Sequence, residues 1–214
     1  MESALNEILP LIGIASALAV GVVSPGPSFV MVARTAASSS RAEGFAAALG
    51  MGVGGVIFAI AALAGLKGLL LAVPSLYIVL KVAGGLYLAY LGARTWLGAT
   101  EPLSVPVAAS GEARTVARAA FLGVATQVSN PKTAIVYASV FAAFLPETPT
   151  FALGAEIVAL VFVIETCWYS LVALALSAEG PRNAYLRYKS WADRIAGGVM
   201  VALGLKLVSS AHRA

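Results

Sequence analysis

Charged residues are scarce in this sequence: Asp, Glu, Lys and Arg make up 11% of its 214 residues, whereas hydrophobic residues make up 60%. Soluble domains carry about a quarter charged residues, so this chain has too few polar groups to cover a surface in water. Several uncharged runs exceed the roughly 18 residues that a membrane-spanning helix needs. The composition therefore predicts an all-α integral membrane protein embedded in a lipid bilayer.

Cysteine and histidine are almost absent. The single cysteine, Cys167, lies in an apolar run, and the single histidine, His212, lies near the C-terminus, so no disulfide framework or Cys/His metal cluster is expected. The net charge is only +4, and the basic residues lie between apolar runs rather than in one patch. That distribution argues against nucleic-acid binding. No nucleophile–base pair is visible, so neither an enzyme nor a cofactor is predicted.

Six apolar segments predict six membrane-spanning helices in a single transporter domain, residues 1–214. The segments are 8–33, 44–66, 76–97, 119–145, 151–178 and 194–210. If the N-terminus lies outside, most Lys and Arg residues between the segments fall inside, and this bias predicts a multi-pass protein of the cytoplasmic membrane with both termini outside. An alternative, in which one segment is re-entrant, stays open.

The two halves of the sequence resemble each other. The third and sixth segments contain the similar stretches VAGGLYLAYLGAR and IAGGVMVALGLK. The first and fourth segments are both interrupted by proline, in SPGPS and SNPK. A repeat of three spans is odd-numbered, so the second copy must insert upside down. We therefore expect two inverted three-helix repeats, at about 8–97 and 119–210, joined by a polar linker at about 98–118.

The two interruptions are the strongest pointers to a substrate site. A proline inside a helix removes a backbone hydrogen bond, and the freed groups cannot be satisfied by lipid. Corresponding breaks in two halves are typical of a binding site near the bilayer midplane. The candidate binding residues at the breaks are Ser24, Pro25, Gly26, Pro27, Ser28, Gln127, Asn130 and Pro131. The alternative is a pair of packing kinks.

Two ionisable residues, Lys132 and Glu165, lie near the middle of apolar segments. A charge at that depth is costly, so each is a functional hypothesis: Lys132 as a binding residue and Glu165 as the proton-coupling group. A purely structural Lys132–Glu165 ion pair is the alternative. Trp168 is a candidate wall for a substrate ammonium, or else a core residue. The Gly50-x-x-x-Gly54 spacing predicts close helix packing, within the chain or in a homodimer.

The sequence resembles the LysE/RhtB family of amino-acid exporters. The resemblance lies in SPGPSFVMVARTAASSSRAEGFAAALGMGVG, in LKVAGGLYLAYLGARTW and in FLGVATQVSNPKTAIVY, which occur in the family's order over about residues 20–170. It implies six helices and export of amino acids or close derivatives, driven by the proton gradient. Many members of this family carry an Asp in the second helix near Gly54 and Gly55, and this chain has none there.

The sequence thus predicts a secondary active amino-acid exporter that works by alternating access at a site between two Pro-broken helices. The alternative is an exporter of a metal cation such as cadmium, for which Cys167 and His212 supply few of the soft ligands that such metals prefer. A membrane scaffold without transport is a third hypothesis, which leaves the paired breaks and the buried charges unexplained.

Overall fold

The structure, a computed structural model, describes residues 2–23, 26–72, 74–101, 115–146, 149–177 and 179–210. Within these ranges the chain forms helices and no strand. The helices are α1 (Glu2–Val23), α2 (Pro27–Ser38), α3 (Arg41–Ala72), α4 (Pro74–Leu97), α5 (Val116–Val128), α6 (Pro131–Phe144), α7 (Phe151–Leu176) and α8 (Glu179–Ser210). A single turn of 3₁₀ helix, Gly98–Thr100, follows α4.

The predicted first and fourth segments are each divided into two helices. α2 begins at Pro27 and α6 begins at Pro131, so each helix has a proline at its first position. Proline is tolerated there because the N–H that it lacks would have no partner inside the helix. α1 and α2 are bent by 58° relative to each other. In the second break the Asn130 side chain accepts a hydrogen bond from the backbone N–H of Lys132 at 3.0 Å, which caps α6.

Two helices in the described part of the chain are long and apolar enough to cross a membrane: residues Arg41–Gly65 of α3, and α7. The bent pair of α1 and α2 makes a third candidate if it crosses as one span. α5 and α6 are apolar but each is shorter than a full crossing. An arrangement of six spans therefore stays a prediction.

α4 and α8 pack against each other through glycines. Gly85 lies against the backbone of Gly204, and Gly92 lies against the backbone of Gly197, so residue numbers rise along one helix as they fall along the other. The two helices are therefore antiparallel. A Cβ atom at any of these four positions would overlap the carbonyl oxygen of the facing glycine, so the close approach requires glycine here.

α3 packs tightly on α5 and α7, again through glycines. Gly50 contacts the backbone of Ala120 and Gly123, while Gly54 contacts the Gln127 side chain. These contacts are all within one chain, so the small-residue spacing on α3 is used for internal packing. A homodimer stays a prediction.

The apolar core has two parts. One cluster joins α1, α3, α4, α6, α7 and α8 and includes Ile14, Phe141, Ile157 and Met200. The other joins α2, α3 and α7 and is centred on Phe29 and Met51. α7 contributes to both clusters, with Ile157 and Val161 in the first and Tyr169 and Val172 in the second.

Candidate functional site

A small cavity of about 30 Å³ lies at the two breaks, and we call it the closed cavity because it is too small to admit an amino acid. Its polar lining comes from Ser28 of α2, Gln127 of α5, Asn130 at the second break, Lys132, Thr133 and Tyr137 of α6, and Glu165 and Tyr169 of α7. Its apolar wall includes Leu18 and Gly21 of α1. On this scale a water molecule needs about 10–15 Å³, so the cavity has room for one or two waters and not for an amino acid.

The two breaks are joined by a short chain of hydrogen bonds centred on Ser28. The Ser28 hydroxyl donates to Oε1 of Gln127 at 2.6 Å and accepts from Nδ2 of Asn130 at 2.9 Å. All three side chains are buried. Since Ser28 belongs to α2 and the other two residues flank the second break, this chain fixes the position of one break relative to the other.

Glu165 has one satisfied oxygen and one unsatisfied oxygen. Its Oε1 accepts a hydrogen bond from the Tyr137 hydroxyl at 2.8 Å, whereas its Oε2 is buried without a hydrogen-bond partner among the described residues. Gly55 of α3 leaves space for the pair: a Cβ there would lie 3.0 Å from both Glu165 Cγ and the Tyr137 hydroxyl oxygen. A buried acceptor that lacks a donor is costly, which favours a role in binding.

Lys132 lies beside Gly26, the residue before α2. A Cβ at Gly26 would lie 3.4 Å from Cδ and 3.7 Å from Nζ of Lys132, at van der Waals contact, so this ammonium group lies directly beside the residue that precedes α2. The N-terminal end of α2 carries partial positive charge. The lysine and the helix end together form a positively charged wall that suits a carboxylate.

A larger vestibule of about 450 Å³ lies on the other side of this wall. Gly26, Asn130 and Lys132 line both spaces, whereas Glu165 lines only the closed cavity. The vestibule continues between α4 and α8. Five charged residues line it: Arg94, Glu101, Lys132, Lys189 and Asp193. Its volume accommodates an amino acid, and its end next to Lys132 is where such a molecule would meet the breaks.

Most of the residues predicted for the site line these two spaces. Ser28, Gln127 and Glu165 line the cavity, and Pro27 and Pro131 line the vestibule. Ser24 and Pro25 lie outside the described residues. Trp168 lines neither space and packs, partly buried, against the cluster of Phe29 and Met51. Where the family resemblance leads one to expect an Asp on α3, Gly54 and Gly55 instead contact Gln127 and Glu165.

The site residues missed from the sequence include Tyr137, Tyr169 and Asp193. Tyr169 follows Glu165 by four residues and Trp168 follows it by three, and both spacings place residues on the same helix face, so spacing alone did not select Tyr169. Lys189 and Asp193 are also four residues apart, at the start of the last apolar segment. Tyr137 gave no comparable signal, because its contact with Glu165 depends on how α6 packs against α7.

The alternative of a metal-cation exporter predicts a group of metal-ligating side chains in one place. In the part of the chain that the structure describes, no group of three or more His, Cys, Asp or Glu residues comes together. Cys167 is exposed on α7 and lines neither the cavity nor the vestibule.

Replacing Ser28 with Ala is expected to lower the free energy of unfolding by about 1–3 kcal/mol, because it leaves buried polar groups on Gln127 and Asn130 without their partner. Thermal unfolding of the purified protein in detergent measures this loss. Ser16→Ala is the matched control, since the exposed Ser16 bonds only to the Ile12 carbonyl of its own helix. Equal stability of the two variants would contradict a role for Ser28 in joining the breaks.

Comparison with known proteins agrees with the resemblance read from the motifs. The family model described as LysE type translocator matches residues 19–211. The chain is 33% identical over 193 residues to the threonine efflux protein of Escherichia coli K12, which covers 89% of this chain and 93% of that protein. The leucine efflux protein of Enterobacter sp. strain 638 is 24% identical over 193 residues, covering 90% and 88%. No solved structure matches the chain.

Long apolar helices with a buried Glu165 and a partly buried Lys132 at one cavity are typical of a membrane transport protein. The chain belongs to the LysE type translocator family. The predicted family is therefore confirmed.

Proposed function

We propose that this protein is a secondary active exporter of small neutral amino acids such as threonine across the cytoplasmic membrane. The observation that carries the proposal is that Glu165 and Lys132 line one buried cavity at the ends of two interrupted helices. An acid and a base held in one cavity match the two charged ends of an amino-acid zwitterion. The threonine and leucine efflux proteins among the relatives support the same substrate class.

In the proposed binding mode, the substrate carboxylate lies against the wall formed by Lys132 and the N-terminal end of α2 around Gly26. Charge-assisted hydrogen bonds of this kind are roughly twice as strong as neutral ones. The substrate ammonium then faces Oε2 of Glu165, the buried acceptor that has no described partner. The cavity must enlarge to admit the substrate. Because Leu18 and Gly21 of α1 form part of its wall, the cavity widens if α1 moves away from α6.

The transport cycle follows from the asymmetry of the two spaces. The vestibule is open near Arg94 and Lys189, while on the far side α1 packs on α6 through Gly13 against Phe144 and Gly21 against Val136. The positive-inside rule assigns the vestibule with its basic residues to the cytoplasmic face and both termini to the outside. We propose that the two faces open alternately, in a fold of six spans arranged as two inverted repeats. The antiparallel contact of α4 with α8 supports this symmetry.

Proton coupling is assigned to Glu165. Glu165 is a buried carboxyl that lines the same cavity as Lys132. Such a carboxyl attracts a cationic partner when it is ionised and loses that attraction when it is protonated, so the site has two electrostatic states. When Glu165 takes a proton from the outside, its attraction for the substrate ammonium and for Lys132 weakens. Substrate is then released outside, and the carrier returns to the state that is open to the cytoplasm.

The test feeds a threonine-containing dipeptide to bacterial cells with and without this protein, and measures the amino acids that accumulate inside. Intracellular threonine is expected to be at least about threefold lower in cells that make the protein, a difference of about 0.65 kcal/mol at 25 °C. Cells making the Lys132→Met variant at the same level are the control and should accumulate threonine as cells without the protein do. No difference for any amino acid tested would overturn the proposed function.

A further inference from the structure

Lys189 and Asp193 form a buried ion pair at the side of the vestibule. They are four residues apart on α8, their Nζ and Oδ2 atoms are 2.7 Å apart, and the residues are only 8% and 2% exposed. Lys189 Nζ also lies 3.5 Å from the carbonyl oxygen of Ala99. Burying two charges costs several kcal/mol per ion, and replacing such a pair with apolar residues is often neutral or stabilising. The pair therefore needs an explanation other than stability.

Asp193 uses only one of its two oxygens in this pair. Its Oδ1 is buried and has no hydrogen-bond partner in the described ranges of the chain. The residue lines the vestibule together with Lys132, which also lines the closed cavity. A carboxylate oxygen held in place by a lysine and left without a donor is an acceptor site for a cationic group.

Two carboxylates therefore lie on opposite sides of one positively charged wall. Lys132 and Gly26 form the wall, Glu165 lines the closed cavity behind it, and Asp193 lines the vestibule in front of it. A substrate whose carboxylate stays on the wall can place its ammonium on either side.

We propose that Asp193 forms a first binding position for the substrate: the ammonium group binds Oδ1 of Asp193 while the carboxylate binds Lys132. The substrate then pivots about its carboxylate, and the ammonium passes from Asp193 to Glu165. Lys189 is a positioning residue, since it holds the Asp193 side chain in place through Oδ2. This inference rests on the proposed function, because it requires a substrate with both an ammonium and a carboxylate group.

The test measures threonine transport from each face separately, with inside-out and right-side-out membrane vesicles that contain the full-length protein. Asp193→Asn is expected to raise the KM for threonine about tenfold or more at the vestibule face, because a neutral amide oxygen replaces the charged carboxylate that binds the ammonium. The KM measured from the opposite face should stay within about twofold of the wild type, because Asp193 does not line the closed cavity. An equal rise at both faces, or no rise at the vestibule face, would overturn the proposal.

A double variant separates binding from charge balance. If Asp193 only neutralises Lys189, then Lys189→Met combined with Asp193→Asn removes both charges and should restore the wild-type KM. If Asp193 binds the ammonium, the double variant keeps the raised KM. Because this variant buries no charge, it also supplies the measurement if Asp193→Asn alone fails to fold.

Glu101→Gln is the matched control for general attraction of cations into the vestibule. Glu101 lines the same space but is exposed, so its removal should change the KM by less than about twofold, as expected of a solvent-screened charge. A rise as large as that of Asp193→Asn would overturn the assignment to Asp193. Failure of the wild-type vesicles to transport threonine or any other amino acid would instead contradict the proposed function itself.

Discussion

Net export is expected to fall at least about tenfold when Glu165 is replaced by Gln, which raises the effective barrier by about 1.4 kcal/mol or more. Gln has nearly the same shape, and its side-chain oxygen can still accept the hydrogen bond that the Tyr137 hydroxyl donates to Glu165. It cannot take up or release a proton. Gln is neutral and holds the substrate ammonium more weakly, so exchange of labelled for unlabelled threonine should continue in reconstituted vesicles only at a raised KM, while export driven by a proton gradient is lost.

The control for this variant lies on the same helix. Glu156 of α7 is exposed and lines neither the cavity nor the vestibule, so Glu156→Gln should export at the wild-type rate. Proton-dependent export by Glu165→Gln at the wild-type rate would contradict the assignment of coupling to Glu165.

A large loss of stability is also expected from Gly50→Ala. The new Cβ would overlap the carbonyl oxygen of Ala120, and a backbone atom cannot move aside as the end of a side chain can. α3 and α5 must then separate, at a cost of about 1–3 kcal/mol in the free energy of unfolding. Thermal unfolding in detergent measures the loss. Threonine export should fall as well, because Gly54, one turn further along α3, contacts Gln127 of the site.

Gly65→Ala is the matched control, because it makes the same substitution on the same helix. No heavy atom lies within 4 Å of the Cβ that it adds. Alanine is the better helix former, so this variant should be as stable as the wild type or more stable by up to about 1 kcal/mol. A Gly50→Ala protein that unfolds at the temperature of Gly65→Ala would show that the contact between α3 and α5 is looser than the structure has it.

The residues at the breaks were predictable because proline and glycine act locally. Proline at the first position of α2 and of α6 is determined by backbone chemistry, without reference to the rest of the fold. The burial of Glu165 could also be read from the apolar residues around it. Hydrogen-bond partners were not predictable in the same way: Ser28 was read as a flanking hydroxyl, but its bonds to Gln127 and Asn130 depend on two distant segments meeting.

Only the three-dimensional structure shows which residues of α7 line the cavity. Trp168 and Tyr169 are adjacent, and both are within one helical turn of Glu165, so spacing alone did not distinguish them. The packing places Tyr169 at the cavity and Trp168 against the cluster of Phe29 and Met51. Asp193 was missed for a different reason. It lies just before the last apolar segment, where a charged residue is expected at a membrane surface, yet α8 is long enough to bury it beside the vestibule.

The small volume of the closed cavity affects how many protons can leak across a membrane that contains this protein. At about 30 Å³ the cavity holds one or two waters, far fewer than a wide aqueous pore through which ions pass freely. We expect such a narrow space to let few protons leak through the carrier when no substrate is bound. On that expectation, a bacterium can hold many copies ready for a sudden excess of amino acid without discharging the gradient on which its other transport depends.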